Sequence, residues 1–235
     1  MYFNISLLKY NTHVAGICAS NGVLSDGIFS GIAPESHILS LKKLDEAGHG
    51  TSSWALDAIK WIHINKIKYN IRVVNMSIGT NDSAISSTLL NAVRGLYSAG
   101  ITVVAAAGNE SRRRISSPGV SPFVITVGAM EENVRFRLRM NRATYFKPDV
   151  FAPSENIISC RSETFSFDSG GRSSEMIVND NYIAMSGTSM ATPMVSGTAA
   201  LLYQYNPSLT PLNVKKIITS ACSKEGHLLN IEKIF

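Results

Sequence analysis

The segment Met185-Ser186-Gly187-Thr188-Ser189-Met190-Ala191-Thr192-Pro193 places a serine just after a glycine turn, at the mouth of a stretch that runs on as an apolar helix. A hydroxyl held there sits among unpaired backbone N–H groups and the positive end of the helix dipole, both of which favour developing negative charge. The chemistry this could do is nucleophilic attack by Ser189; the plainer use of the same residue is to cap the helix. Two further segments offer complementary groups. In Ala105-Ala106-Ala107-Gly108-Asn109 a buried strand ends in an amide side chain, which could donate to an oxyanion or simply make a turn. In Asn75-Met76-Ser77-Ile78-Gly79 another strand ends in small residues whose backbone could pair with an extended peptide.

These segments need a scaffold that brings strand ends and a helix start to one edge, and the sequence supplies one. Short β-rich runs alternate with amphipathic stretches, the pattern of a parallel sheet covered on both faces. Strands are read at 37–41, 72–76, 101–107 and 123–127, and helices over 51–68, 86–99, from Thr192 to Tyr205, and from Thr210-Pro211 onward. The 101–107 run is almost wholly apolar, as a strand buried on both sides must be. Stretches 131–146 and 161–181 break the rhythm and read as surface loops.

Composition narrows the classes. With 235 residues at 45% hydrophobic and 17% charged, the chain has the size and composition of one globular domain. Such a domain buries roughly 70% of the surface its unfolded chain exposes. No apolar run reaches the roughly 18 to 20 residues of a membrane span. Cys18, Cys160 and Cys222 are far apart, with neither disulfide-framework nor metal-ligand spacing. The net charge of +5 gathers in Arg112 to Arg114 and in Arg135, Arg137, Arg139 and Arg142. No aromatic residues interleave there to stack bases, so these arginines read as solvated loop rather than as a nucleic-acid surface.

Taken together and in order, the segments resemble the subtilases, the subtilisin-like serine peptidases. GTSMATP at 187–193 resembles that family's nucleophile motif, AAAGN at 105–109 its oxyanion segment and NMSIG at 75–79 its substrate-binding strand. THVAGI at 12–17, GIAPES at 31–36 and KPDVFAPSENIIS at 147–159 extend the match, which runs from about Thr12 to the end. The resemblance implies an α/β, three-layer subtilisin-like fold with a mostly parallel sheet and helices on both faces. It implies Ser189 as nucleophile and Asn109 as oxyanion donor, with Thr188 supporting them. Ser77, Ile78, Gly79, Ala106, Ala107 and Gly108 would line the substrate site.

The other half of the family's machinery is not in the sequence. Where the family has HGTHVAG, this chain has Tyr10-Asn11-Thr12-His13-Val14-Ala15-Gly16. His13 therefore matches the second, structural histidine, and Tyr10 stands at the position of the catalytic base. A phenol with a reference pKa near 10 is a poor general base at pH 7. The family's Asp-Thr-Gly or Asp-Ser-Gly strand has no counterpart, and Asp26 belongs to a turn. By analogy the missing strand would lie between those at 37–41 and 72–76. Those strands would then pair directly or leave open edges, unless the first ten residues, with Tyr2, Phe3, Ile5, Leu7 and Leu8, supply a short substitute.

The reading is therefore one subtilase-type peptidase domain over 1–235, truncated at its amino-terminal strand region, impaired in peptide-bond hydrolysis and acting on an extended peptide or protein. The alternatives are a pseudoprotease that binds peptides, or one half of a site completed by another chain or segment that brings Asp and His. No cofactor, nucleic-acid partner or membrane is expected. Neither is a metal, since Ser20 to Ser30 offers only Asn21 and Asp26 as side-chain oxygen ligands of note. The absence of a signal sequence points to the cytoplasm, or to secretion if a longer precursor exists.

Overall fold

The computed structural model describes residues 2–5, 8–41, 52–109, 115–130, 138–139, 146–163, 177–223 and 228–235. Its centre is a six-stranded sheet built from β1 (Tyr2–Ile5), β2 (Ile38–Ser40), β3 (Val73–Met76), β4 (Thr102–Ala106), β5 (Ile125–Met130) and β8 (Val150–Pro153), in the order β2-β1-β3-β4-β5-β8 with every pair parallel. Between β5 and β8 lies a small antiparallel pair, β6 (Leu138–Arg139) with β7 (Phe146–Lys147). A second hairpin joins β9 (Ile157–Cys160) to β10 (Tyr182–Met185), Met185 opposite Ile157.

Side chains alternate across the strands and so divide the core in two. Val73, Val104, Ile125 and Val127 face α4 (Thr188–Tyr205) and α5 (Pro211–Ser220). Val74, Met76, Val103 and Ala105 face α2 (Ser52–Asn65) and α3 (Ser83–Ser98). This is the three-layer α/β arrangement expected, and it follows from the period-2 direction of strand side chains. Helix α1 (Leu8–Ala19) lies on the α4 side and covers the β9–β10 hairpin, with Val14 and Ile17 against Ile183, Met185 and Met190.

The place expected to be short of a strand is filled. β1 runs between β2 and β3, with Tyr2 opposite both Ile38 and Val73 and Ile5 opposite Met76. Four extended residues at the amino terminus are enough to satisfy the facing backbone edges of both neighbours, so β2 and β3 do not pair directly. The sheet thereby keeps the carboxyl ends of β3 and β4 in line, Met76 opposite Ala105.

Helix limits move by a few residues from those read in the sequence. α5 starts as expected, with Thr210 accepting from the Asn213 N–H at 3.2 Å, Asn213 Oδ1 accepting from the Thr210 N–H at 3.2 Å, and Pro211 in the first turn. α4 begins at Thr188 rather than Thr192, so Pro193 lies inside it. No two of the three cysteines form a disulfide; Cys18 and Cys222 are buried and Cys160 is half-buried. Arg112 to Arg114, Arg135, Arg137, Arg142, His49 and His227 lie outside the described residues, as does most of 131–146 and 161–181.

Candidate active site

Helix α4 opens at Gly187, whose φ of 134° suits glycine and whose missing side chain leaves room for its neighbour: a Cβ there would come within 3.2 Å of Asn109 Nδ2. The close approach lets Asn109 reach the first turn of the helix. The Thr188 N–H and the Thr188 hydroxyl both donate to Asn109 Oδ1, at 3.1 and 2.8 Å. Two donors on the carbonyl oxygen fix the orientation of the amide and leave Nδ2 with no acceptor among the described residues. The Ser189 N–H, next in the helix, has none either. Two N–H donors are thus left open beside the serine hydroxyl.

Among the described residues Ser189 Oγ makes a single long contact, 3.5 Å to the Ser77 carbonyl, so the hydroxyl is weakly engaged. The main chain of Ser189 is held far more firmly. Pro193 has no N–H to give to the carbonyl four residues before it, which frees the Ser189 carbonyl. That carbonyl accepts instead from Ser77 Oγ at 3.2 Å, and Ser77 Oγ in turn accepts from Asn75 Nδ2 at 3.0 Å. Ser196 Oγ lies 3.0 Å from Asn75 Oδ1 and 3.1 Å from the Thr192 carbonyl, sharing one proton between them. Asn75 and Ser196 are both wholly buried. A chain of side chains inside the protein therefore ties the end of β3 to α4 at the turn that carries Ser189.

The structure brings Ser189, Thr188, Asn109 and Ser77 together. It places Ile78, Gly79, Ala106, Ala107 and Gly108 on the two segments that leave β3 and β4 at the same edge. Asn75 and Ser196 were not among the sequence candidates. The available signals were an amide in an otherwise apolar strand and a hydroxyl seven residues beyond Ser189, on the same face of the helix.

His13 is placed elsewhere in the chemistry. Its ring is fully buried, and Nε2 lies 3.0 Å from the Ile157 carbonyl and 3.1 Å from the Ile183 carbonyl. Two acceptors on one nitrogen assign the proton to Nε2, leaving Nδ1 as a lone pair that is buried without a partner. Burial pushes the imidazole down to about 4, with the two carbonyl bonds acting in the opposite sense. Ser159 Oγ donates to the His13 carbonyl at 2.8 Å, so this residue fastens α1 to the β9–β10 hairpin. Tyr10 lies in the first turn of α1. The buried carboxylate of Asp149 is committed to Lys147 at 2.6 Å and Lys215 at 3.0 Å.

Among the described residues no group of three or more His, Cys, Asp or Glu is gathered as metal ligands would be, and no helix is long and apolar enough to cross a membrane. In the Ser20–Ser30 loop, Asn21 Oδ1 accepts from the Val23 N–H at 3.2 Å.

The chain matches the model of the Subtilase family over residues 11–232. It is 38% identical over 239 residues to Serine protease AprX of Bacillus subtilis (strain 168), covering 92% of this chain and 53% of that protein. It is 37% identical over 201 residues to Thermophilic serine proteinase of Bacillus sp. (strain AK1), covering 86% of this chain and 44% of the relative. The chain thus spans about half the length of these curated relatives. Its backbone superposes on the crystal structure of a cold adapted subtilisin-like serine proteinase with a TM-score of 0.70 and 25% identity, over 97% of this chain and 86% of the other.

Proposed function

The chain belongs to the subtilase family, and on that premise we propose that it is the nucleophile-and-oxyanion half of a serine peptidase site, able to hold an extended peptide and slow to cleave it. The observation that carries this reading is the pair of open donors, Asn109 Nδ2 and the Ser189 N–H, set beside a hydroxyl with no strong partner. A peptide laid between Ser77–Gly79 and Ala106–Gly108 brings a carbonyl carbon to Ser189 Oγ. Attack by Oγ breaks the carbonyl π bond, and the electron pair moves to the oxygen. Two fixed N–H donors stabilise that charge without reorganising.

The same step releases the hydroxyl proton, and among the described residues no group placed at the site takes it well. His13 Nε2 already carries a proton shared between two carbonyls, and its Nδ1 is enclosed. Tyr10 stands at the sequence position of the family's base, and a phenol is a poor general base at neutral pH. In subtilisin, loss of triad members leaves on the order of 1,000- to 10,000-fold acceleration over water, supplied by the oxyanion site and binding. Activity of that order is the expectation for this chain alone. Binding peptides without turnover, as a pseudoprotease, and completion by another polypeptide carrying Asp and His are the other readings of the same geometry.

Treatment with a fluorophosphonate probe separates them. Slow labelling that disappears in Ser189→Ala supports an impaired nucleophile. Labelling as fast as in a complete peptidase overturns impairment, and no labelling over many hours leaves the peptide-binding reading. Acceleration only on adding a polypeptide with the family's Asp and His motifs identifies a site completed in trans.

A further inference from the structure

The two walls of the peptide cleft each contain a glycine, and both glycines face one side chain. A Cβ on Gly79 would lie 2.7 Å from Ser116 Cβ, and a Cβ on Gly108 would lie 2.6 Å from Ser116 Oγ. The space that these glycines leave between the walls is therefore already occupied by Ser116. Gly108, with φ of 98°, is also in a backbone region that other residues rarely adopt, so that wall cannot easily change.

Ser116 is fastened from both sides. Its N–H donates to the Ala107 carbonyl at 3.0 Å, on the β4 wall. The next residue, Ser117, exchanges two 2.9 Å backbone bonds with Thr80, just past the β3 wall. A residue tied to both walls cannot swing aside for an incoming group. Ser116 is 6% exposed, and its hydroxyl has no hydrogen-bond partner among the described residues. A long side chain entering between Gly79 and Gly108 would meet Ser116 at the end of that space.

We propose that Ser116 is the floor of the primary specificity pocket and that the chain selects peptides with a small side chain, alanine or serine, on the acyl side of the target bond. This rests on the peptide-binding reading above and adds the substrate class to it. Volume does the selecting, and the Ser116 hydroxyl, without a partner among the described residues, is available to a serine side chain in the pocket.

The test uses the full chain and four fluorescein-labelled tetrapeptide aldehydes that differ only in the last residue, Ala, Ser, Leu or Phe, with binding read by fluorescence anisotropy. Such an aldehyde takes up Ser189 Oγ across its C=O bond, the hydroxyl proton ending on the former carbonyl oxygen. Alanine and serine aldehydes are expected to bind about tenfold or more tighter than phenylalanine, the scale of discrimination for a few methylenes in a pocket. Ser116→Gly should erase or invert that order, whereas Ser116→Ala should preserve the preference of alanine over phenylalanine, because it removes the hydroxyl and keeps the volume. Equal or tighter binding of phenylalanine by the unmodified protein, or an unchanged order in Ser116→Gly, overturns the assignment while leaving the cleft a peptide site. Binding of none of the four to protein with an intact circular dichroism spectrum overturns the cleft and the pocket together.

Discussion

Around Ser189, the first turn of α4 has its polar groups sorted into those that hold the turn and those left open. Thr188 fixes Asn109, Ser77 takes the freed Ser189 carbonyl, and two N–H groups remain unengaged. Across the molecule, α1 offers one imidazole, and it is used entirely for attachment to two strand carbonyls. On the proposed reading, the difference is one between the two tasks of a serine peptidase site. Holding a nucleophile and stabilising an oxyanion need only backbone geometry and one amide. Moving a proton needs a group that is exposed to the reaction and titrates near neutral pH, and burial at α1 removes both properties.

The largest break in that contrast comes from Asn109→Ala. It removes one of the two open donors and should slow labelling of Ser189 about 100- to 1,000-fold, the loss found for the equivalent change in subtilisin. Because Asn109 is exposed and receives its bonds from Thr188, the melting temperature should move little. A variant that labels at the original rate would show that the amide does not face the reacting carbonyl.

His13 should respond in the opposite way, through stability alone. Its folded value of about 4 lies below the unfolded 6.5, so between those limits the unfolded chain binds more protons and stability falls as pH is lowered. The loss begins near pH 6.5, is complete near pH 4 and amounts to about 3 kcal/mol. Urea titrations across this range should show the slope, and His13→Gln should flatten it. A labelling rate that follows His13 titration, with stability unchanged, would instead make His13 the base.

Adding an imidazole to α1 tests the contrast from the other side. Tyr10→His puts an imidazole at the family's base position on α1, and the labelling rate should rise about 100-fold, the low end for general-base assistance, because the family's orienting Asp motif has no counterpart in the sequence. Mass spectrometry of the probe adduct over time measures it; a rate unchanged between pH 6 and 9 would mean that α1 does not present residue 10 to Ser189.

Much of this was legible in the sequence where neighbours along the chain decide the outcome. The continuous apolar run at 101–107 yields β4, and the Thr210-Pro211 cap starts α5. The substitute strand at the amino terminus follows from four residues suited to extended structure lying next to two strands that need a partner. Contacts between distant segments were not legible. The carbonyls that hold His13 come from residues 144 and 170 positions away, on a hairpin whose strands are separated by an aperiodic stretch. The Lys147–Asp149–Lys215 cluster joins β7, the bend before β8 and α5 through charges that composition alone reads as surface. Ser116 gains its meaning only from two glycines brought together by the sheet.

The smallest expected effect concerns the link between the halves of the nucleophile's support. Ser196→Ala leaves Asn75 Oδ1 buried without its hydroxyl partner, at a cost of about 1 to 3 kcal/mol in stability. If the amide holds its place, Asn75 Nδ2 still donates to Ser77, and the labelling rate should change less than about threefold. If the amide turns to find another donor, Ser77 loses that bond and releases the Ser189 carbonyl, and the rate falls with the stability. Ser196→Thr, which keeps the hydroxyl, should recover both where the added methyl fits. A stability loss with constant labelling makes the chain a brace for α4, whereas parallel losses repaired together by threonine make Ser196 and Asn75 positioning residues for Ser189.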